Sequence, residues 1–378
     1  MTATTANRLR VGIVGLSATG GWAARAHAPA ISSGDRFTLV GTCAGTAESA
    51  AAAAAKYGLP VATSSPAELA ADHRVDVIVV AVRVPLHEEV LREVLPVGKP
   101  TLCEWPLAPD AAIAERLALL ADRCGTPTAV GLQARHVPEV RMMKRLISAG
   151  HIGRVSSARL IGDAGGWGAT TRSATAYTMD GSSGAGLSAV PLGHTLDAVV
   201  DTLGPLELSE VVTTIDHSRV AVVDTGEVIT KTTPDQVAFL ARTTTGAVLS
   251  AHYQGGLSKG TTFLWEVRGS DGVLQLTGDT GHLQFGAVTL RGASRGGDIE
   301  ELVPVAGLDH RGGDGEVDPV PKPVSVVAEH YAAWHDTLTG AASAHPGTVG
   351  FHHAAAHHGL VDEILRRGDP GGPREGNC

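Results

Sequence analysis

Basic clusters, paired cysteines and long apolar runs are missing from this sequence, and each absence narrows what the chain can do. Lys and Arg number 30 against 39 Asp and Glu, a formal charge of -9 with no basic patch, which argues against a nucleic-acid partner and against an anionic membrane surface. The four cysteines, Cys43, Cys103, Cys124 and Cys378, form no C-x-x-C pair, so reduced thiols in the cytoplasm are favoured over a disulfide framework or a zinc site. The strongest apolar run, Val77–Val82, falls far short of the roughly 20 residues that span a bilayer. Met1 to Arg8 is polar and leads straight into a strand, so neither a membrane anchor nor an export signal is expected. No repeat of fixed period is present. Histidine, by contrast, is abundant at 17 residues, and the spacing of His352, His353, His357 and His358 pairs them on a helical face. No carboxylate or cysteine completes a ligand set there, so a packed or solvated helix face is favoured and no metal is expected.

The most informative stretch is Arg10-Val11-Gly12-Ile13-Val14-Gly15-Leu16-Ser17-Ala18-Thr19-Gly20-Gly21-Trp22, where an apolar run stops at a glycine and a helix-compatible segment follows. A strand over Leu9–Val14 delivers the chain to a tight turn at Gly15. Gly20 then lets the next helix sit close, with its free N–H groups and positive dipole end facing a pyrophosphate. The spacing is G-x-S-x-x-G, with Ser17 in place of the usual middle glycine, and an ordinary strand-to-helix turn is the competing reading.

At 378 residues the chain is comfortable for two domains, and its pattern divides accordingly. Strands are expected at Leu9–Val14, Thr38–Thr42, Val75–Val82, Thr101–Cys103 and Thr128–Leu132, alternating with helices such as Ala47–Tyr57 and the one opened by Pro109-Asp110 and stopped by Gly125. This is the βαβ rhythm of a doubly wound parallel sheet. Beyond a helix from Pro138 to Ile147, strand-like runs follow at Val211–Thr214, Gln236–Thr243, Ala247–Gln254, Thr262–Arg268, Gly272–Thr277 and His282–Leu290, as in an antiparallel or mixed sheet. Gly292 to Pro319 reads as an irregular excursion, Val324–Gly340 and Gly350–Arg367 as helices, and Gly368 to Cys378 as a frayed end. The expected division is 1–132 for dinucleotide binding and 133–378 for substrate binding and oligomerisation.

In a unit of this type the second strand usually ends on an acid that hydrogen-bonds the adenosine ribose. Here Ala44, Gly45 and Thr46 stand in its place, so nothing repels a 2′-phosphate, and Thr46 and Ser49 lie where they can donate to one. NADP is therefore preferred over NAD, against the competing view that Gly45-Thr46 is simply a turn into the alanine-rich helix.

Further along come Arg83-Val84-Pro85-Leu86-His87, then Gly98-Lys99-Pro100-Thr101-Leu102-Cys103-Glu104-Trp105-Pro106-Leu107-Ala108, Gly131-Leu132-Gln133-Ala134-Arg135 and Gly150-His151-Ile152-Gly153-Arg154-Val155. In this order, with the first glycine loop, they resemble the glucose-fructose oxidoreductase and inositol dehydrogenase family, Gfo/Idh/MocA. The resemblance implies an N-terminal Rossmann domain and a C-terminal α/β domain with an open sheet that often joins subunits, hence a homo-oligomer. It also implies NAD(P)-dependent redox chemistry on sugars, cyclitols and related small molecules. The cofactor contacts it implies are Gly15, Ser17, Ala18, Thr19, Gly20 and Trp22, then Ala44, Gly45 and Thr46, then Val82, Pro85, His87, Glu104, Trp105 and Gln133.

Two departures matter. The family's Glu-Lys-Pro reads Glu104-Trp105-Pro106, and indole neither titrates nor accepts a proton, although it can wall a pocket by stacking. In the motif Gly184-Ala185-Gly186-Leu187-Ser188-Ala189-Val190-Pro191-Leu192-Gly193-His194-Thr195-Leu196-Asp197, the histidine and final aspartate survive as His194 and Asp197, but the catalytic aspartate position is Val190. The paired change looks like the subgroup that contains the fungal galactose-regulon repressor, which binds a dinucleotide and acts through protein contact, and its bacterial relatives. Two functions therefore compete. In the first, an oxidoreductase, His194 is the acid/base, since an unperturbed imidazole, with a pKa of about 6.5, suits removal of the hydroxyl proton. Asp197 orients it or lies on the helix surface, and Tyr177 and Asp180 are further polar contacts, though a turn at Asp180-Gly181 also accounts for the latter. In the second, the chain is a catalytically silent dinucleotide-binding regulator.

Overall fold

In a computed structural model the protein is described over residues 8–256, 259–304, 322–341 and 347–369. The chain divides into two compact units, Met1–His136 with Leu308–Ala356, and Val137–Gly307 with His357–Cys378. Among the described residues no helix is long and apolar enough to cross a membrane. Most of the expected Gly292–Pro319 excursion, nearly all of the frayed end with Cys378, and residues 1–7 lie outside the described residues.

The first unit is built on six parallel strands: β1 (Leu9–Val14), β2 (Phe37–Cys43), β3 (Val61–Thr63), β4 (Val77–Val80), β5 (Thr101–Glu104) and β6 (Thr128–Gly131). Their order across the sheet is β3-β2-β1-β4-β5-β6. The chain steps outward from β1 through β2 to β3 and resumes on the other side at β4, and ligands of such sheets lie at the carboxyl ends of the strands where the order reverses. Central strands are covered on both faces, which is why Val77-Ile78-Val79-Val80 is a continuous apolar run, every residue buried. Only β3 was not anticipated. It is a three-residue edge strand, too short to carry a period.

Helix Ala47–Tyr57 follows from its alanines, closed by Gly58 at φ +65, while Ala111–Cys124 is capped by the Asp110 carboxylate accepting from Ile113 N–H at 2.7 Å. A late helix, Lys322–Thr339, also belongs to this unit. Its Val327, Tyr331 and Trp334 join the core of Ile13, Ile31 and Phe37, with the Phe37 and Trp334 rings stacked at 5.7 Å. Arg36 binds Asp336 beside them. Residue 132 is thus close to where the chain first leaves this unit, and Lys322–Thr339 returns to it.

The second unit contains a mixed eight-stranded sheet that runs, edge to edge, Glu300–Glu301, Val288–Ser294, Gly272–Gly278, Phe263–Gly269, Val155–Ala164, Val248–Gly255, Gln236–Thr243 and Leu206–Thr214. Val155–Ala164 and Val248–Gly255 are parallel and the other neighbours antiparallel. Alternation is clear in Gln236–Thr243, where Val237, Phe239, Ala241 and Thr243 are buried while Leu240 and Arg242 are exposed. A small second sheet, Val228–Thr230, Arg219–Val222 and Thr170–Thr171, lies beside it in the chain's path. The expected strand His282–Leu290 is corrected. Only Val288 onward is strand, because Phe285 and Gly286 N–H both donate back to His282 C=O and fold 282–286 into a turn.

Glycine is required sterically at the end of β1. Gly15 sits at φ +103, and a Cβ there would lie 2.6 Å from Ala81 O, whereas Gly125, at φ +63, has open space around it. Gly15→Ala is expected to destabilise the protein by more than about 2 kcal/mol, from strain plus overpacking, and Gly125→Ala by about 1 kcal/mol, from backbone strain alone. Urea unfolding midpoints compare the two, and equal losses would contradict the steric account.

Candidate functional site

The loop after β1 is fastened from three sides. Gly15 N–H donates to Cys43 C=O at 2.9 Å, and Ser17 Oγ accepts from Thr19 N–H at 3.1 Å. From the last turn of helix Ala47–Tyr57, Lys56 Nζ donates to Ala18 C=O at 2.6 Å and Tyr57 Oη to Ser17 C=O at 3.5 Å. Neither Lys56 nor Tyr57 was expected at this site. Their only signal in the sequence is a polar pair in the turn before Gly58, which points nowhere without the strand order. Gly20 and Gly21, at φ +144 and +94, have no heavy atom within 4 Å of an added Cβ, so the loop presents bare backbone over open space. A helical segment begins directly after, a π turn Ala23–His27 running into Ala28–Ser33, with Arg25 N–H to Gly21 C=O at its start. Amides ahead of that first bond precede the helical ladder and carry its positive dipole end. A diphosphate fits such a cradle.

At the end of β2, Ala44 is half-buried and Gly45 and Thr46 exposed. The two hydroxyls expected to receive a 2′-phosphate are instead used on each other. Thr46 Oγ1 accepts from Ser49 N–H at 3.2 Å, while Ser49 Oγ accepts from Thr46 N–H at 3.1 Å, a reciprocal helix cap. The exposed Glu48 carboxyl is held below its usual range by its own backbone N–H and by Thr46.

Beyond the loop, Glu104 at the end of β5 is the meeting point of the unit. Its buried carboxylate accepts from Trp22 Nε1 at 2.9 Å and from Gln133 Nε2 at 2.8 and 3.0 Å, and His27 Nε2 lies 3.0 Å from Oε1. His27 Nδ1 is 2.9 Å from Tyr331 Oη. A proton on Nε2 faces the carboxylate, and Nδ1 then accepts the Tyr331 hydroxyl, a hydroxyl that burial and the nearby Glu104 keep protonated well past its ordinary range. Gln133 Oε1 is buried and has no partner, an acceptor that a carboxamide N–H or a water would satisfy. The donor set and the open glycine pair both fit a nicotinamide dinucleotide.

Trp105, next to Glu104, is buried at 4 % exposure, and its peptide bond to Pro106 is cis. Val82 is half-buried and Pro85 exposed in the turn Val84–Leu86 that follows β4. His87 differs from expectation. Fully buried, it holds Nε2 3.0 Å from Val82 C=O and Nδ1 3.2 Å from Leu107 C=O and 3.4 Å from Cys103 Sγ. Burial pushes the pKa of this imidazole down and that of the Cys103 thiol up.

In the second unit a π turn, Ser188–Leu192, leads through Pro191 into helix Gly193–Leu203 and places His194 near its amino end, 4 % exposed. His357 Nε2 donates to Gly193 C=O at 2.8 Å, and Thr195 Oγ1 to Pro191 C=O at 3.2 Å. Asp197 is fully buried, so it does not belong to the solvated helix surface. His282, in the turn that replaces an expected strand, has its pKa pushed down to about 3, first by burial and then by His194, and is neutral at physiological pH. Its ring lies 5.3 Å from that of Trp167, whose Nε1 donates to Ala185 C=O at 3.0 Å. Neither His282 nor Trp167 was anticipated. Tyr177 is half-buried in the 3₁₀ segment Ser173–Met179. Asp180 is exposed, and its carboxylate caps the turn, accepting from Ser182 N–H at 3.0 Å and Ser182 Oγ at 2.9 Å. Of the four C-terminal histidines, His352 Nε2 is 2.7 Å from Asp122 Oδ2 and His353 Nε2 3.2 Å from Arg135 Nη2, while His357 and His358 are buried. Among the described residues no group of three His, Cys, Asp or Glu is arranged to hold a metal.

Residues 9–132 match the oxidoreductase family with NAD-binding Rossmann fold, and residues 138–278 match the Gal80p C-terminal domain. The galactose/lactose metabolism regulatory protein GAL80 of Saccharomyces cerevisiae is 30% identical over 304 residues, 75% of this chain and 69% of the relative. Dehydrogenase aclE of Aspergillus oryzae is 31% identical over 209 residues, 52% of this chain and 55% of the relative. In fold, the crystal structure of the Gal80(S2) [E351K] super-repressor mutant of Gal80p from Saccharomyces cerevisiae superposes with a TM-score of 0.84 at 22% identity, covering 96% of both chains. The chain belongs to the Gfo/Idh/MocA oxidoreductase family, with an NAD-binding Rossmann unit followed by a C-terminal domain of the Gal80p type.

Proposed function

We propose that the protein is an NAD(P)-dependent oxidoreductase acting on a sugar-like or polyol-like substrate, with His194 as the acid/base. The observation that carries this reading is His194 itself: a buried imidazole at the family's motif position, near the start of a helix and beside the neutral His282. When bound, the dinucleotide supplies the acceptor for the hydride. His194 takes the proton from the hydroxyl being oxidised, and returns it in the reverse direction. Trp105 has no proton to exchange and is assigned to the pocket wall. A single positioned acid/base contributes roughly 10²–10⁴ in rate, about 3–5 kcal/mol of barrier, so the loss of the family's lysine leaves room for turnover through His194.

A second reading, a dinucleotide-binding regulator that works through protein contact, is favoured by Trp105 and Val190 standing where the family's lysine and aspartate would be, and by the likeness to GAL80. The two part on one experiment. Absorbance at the nicotinamide band is followed across a panel of sugars, cyclitols and sugar acids. Turnover is expected for the enzyme, whereas tight dinucleotide retention with no turnover on any compound would favour the regulator. His194→Ala is expected to lower kcat by 10²–10⁴ while leaving the dinucleotide Kd within about threefold. Unchanged turnover in that variant would remove His194 from its role.

For the cofactor, no carboxylate terminates β2 and Lys56 stands at the glycine loop, so NADP is expected to bind no more weakly than NAD. Calorimetric dissociation constants test this, and a clear preference for NAD would overturn it.

A further inference from the structure

Trp167 is, among the described residues, the only non-glycine with positive φ, at +58. A bulky residue is seldom held there unless its surroundings force it. Here they do. Gly168 is so close to Gly256 that an added Cβ would lie 2.4 Å from Gly256 Cα, and a Cβ on Gly255 would lie 2.7 Å from the Trp167 carbonyl oxygen. That carbonyl accepts from Lys231 Nζ. Lys231 is itself fully buried and paired at 2.9 Å with Asp235, whose carboxylate also accepts from Asp216 and His217 N–H at 2.8 and 3.0 Å. Burying such a pair is costly, and one end of it is directed at a single backbone oxygen.

The side chain is held as firmly as the backbone. Nε1 is tied to Ala185 C=O, in the segment that leads to His194, and the ring leans on His282 at 32°. Yet Trp167 is only part-buried. A tryptophan wanted only for packing would be covered, and would need neither the left-handed backbone nor the buried lysine. His282 Nδ1 nearby is buried and lacks a partner, the kind of group a ligand hydroxyl or bound water satisfies. A flat apolar face beside an unpaired polar atom matches a ring with C–H groups on its face and hydroxyls on its rim.

We propose that Trp167 is the platform on which the ring of a cyclic polyol or pyranose stacks, with Lys231 and Asp235 as the positioning residues that hold it. The proposal rests on the substrate class given above, and its test separates the two. The full chain is labelled with 5-fluorotryptophan, giving five resonances for its five tryptophans. Trp167 is assigned by its loss in Trp167→Phe. myo-Inositol, D-glucose and D-galactose, with acyclic glycerol as control, are titrated with and without dinucleotide.

At least one ring compound is expected to shift the Trp167 resonance saturably while glycerol does not, and Trp167→Ala is expected to weaken that compound at least tenfold with the dinucleotide Kd unchanged. A Trp167 resonance unmoved by every ring compound overturns the platform. If turnover is seen with Trp167 silent, the platform falls and the oxidoreductase stands. If Trp167 responds without turnover, the platform stands and the oxidoreductase falls. For the positioning pair, the double variant Lys231→Met with Asp235→Leu removes both charges together, and a thermal melt verifies folding. It is expected to displace or broaden the Trp167 resonance and to raise KM, or the probe Kd, with kcat preserved. An unaltered resonance and affinity would deny the pair its role.

Discussion

A buried carboxylate organises the first unit. Glu104 stands at the carboxyl end of β5 and gathers the indole of Trp22 from the glycine loop, the amide of Gln133 from beyond β6, and the imidazole of His27 from the first helical segment. A charge removed from water is tolerable only when such partners surround it, and the same partners thereby become fixed relative to one another. The loop that would cradle a diphosphate and the strand end that would face a nicotinamide are therefore one connected body. Through His27 the connection reaches Tyr331, almost 200 residues beyond Gln133 in sequence.

The second unit achieves rigidity differently. Around Trp167 the backbone is crowded by glycines and fastened by a buried lysine, and the helix bearing His194 is fastened by His357 at Gly193. Burial holds His282 neutral next to it, which spares the pair a like-charge conflict. One unit thus relies on a buried carboxylate hub, and the other on close glycine packing with a buried Lys231–Asp235 pair.

Much of this was readable from the chain. The central strand Val77–Val80 announced itself as a fully apolar run, and Gly58, Asp110 and Gly125 marked helix ends with unambiguous local chemistry. The glycine loop was legible for the same reason, since a turn over a ligand needs residues without a Cβ. What escaped notice depended on long-range contact. Lys56 and Tyr57 look like an ordinary helix end until β1 and β2 are side by side, and Lys231 looks like a surface lysine until the chain buries it against Asp235. His282 was hidden by an alternation that imitates a strand, broken by backbone bonds returning to its own carbonyl. Thr46 and Ser49 cap the helix reciprocally, a local use of their hydroxyls that the sequence also allowed.

The return of Lys322–Thr339 to the first unit has a biosynthetic consequence. Phe37 finds its stacking partner in Trp334, and His27 its hydroxyl in Tyr331, so the dinucleotide half remains unfinished on the ribosome until the chain past residue 334 has emerged. An N-terminal fragment ending near residue 132 would leave Phe37 and Ile31 short of their cover, and such a fragment is a poor minimal cofactor-binding module.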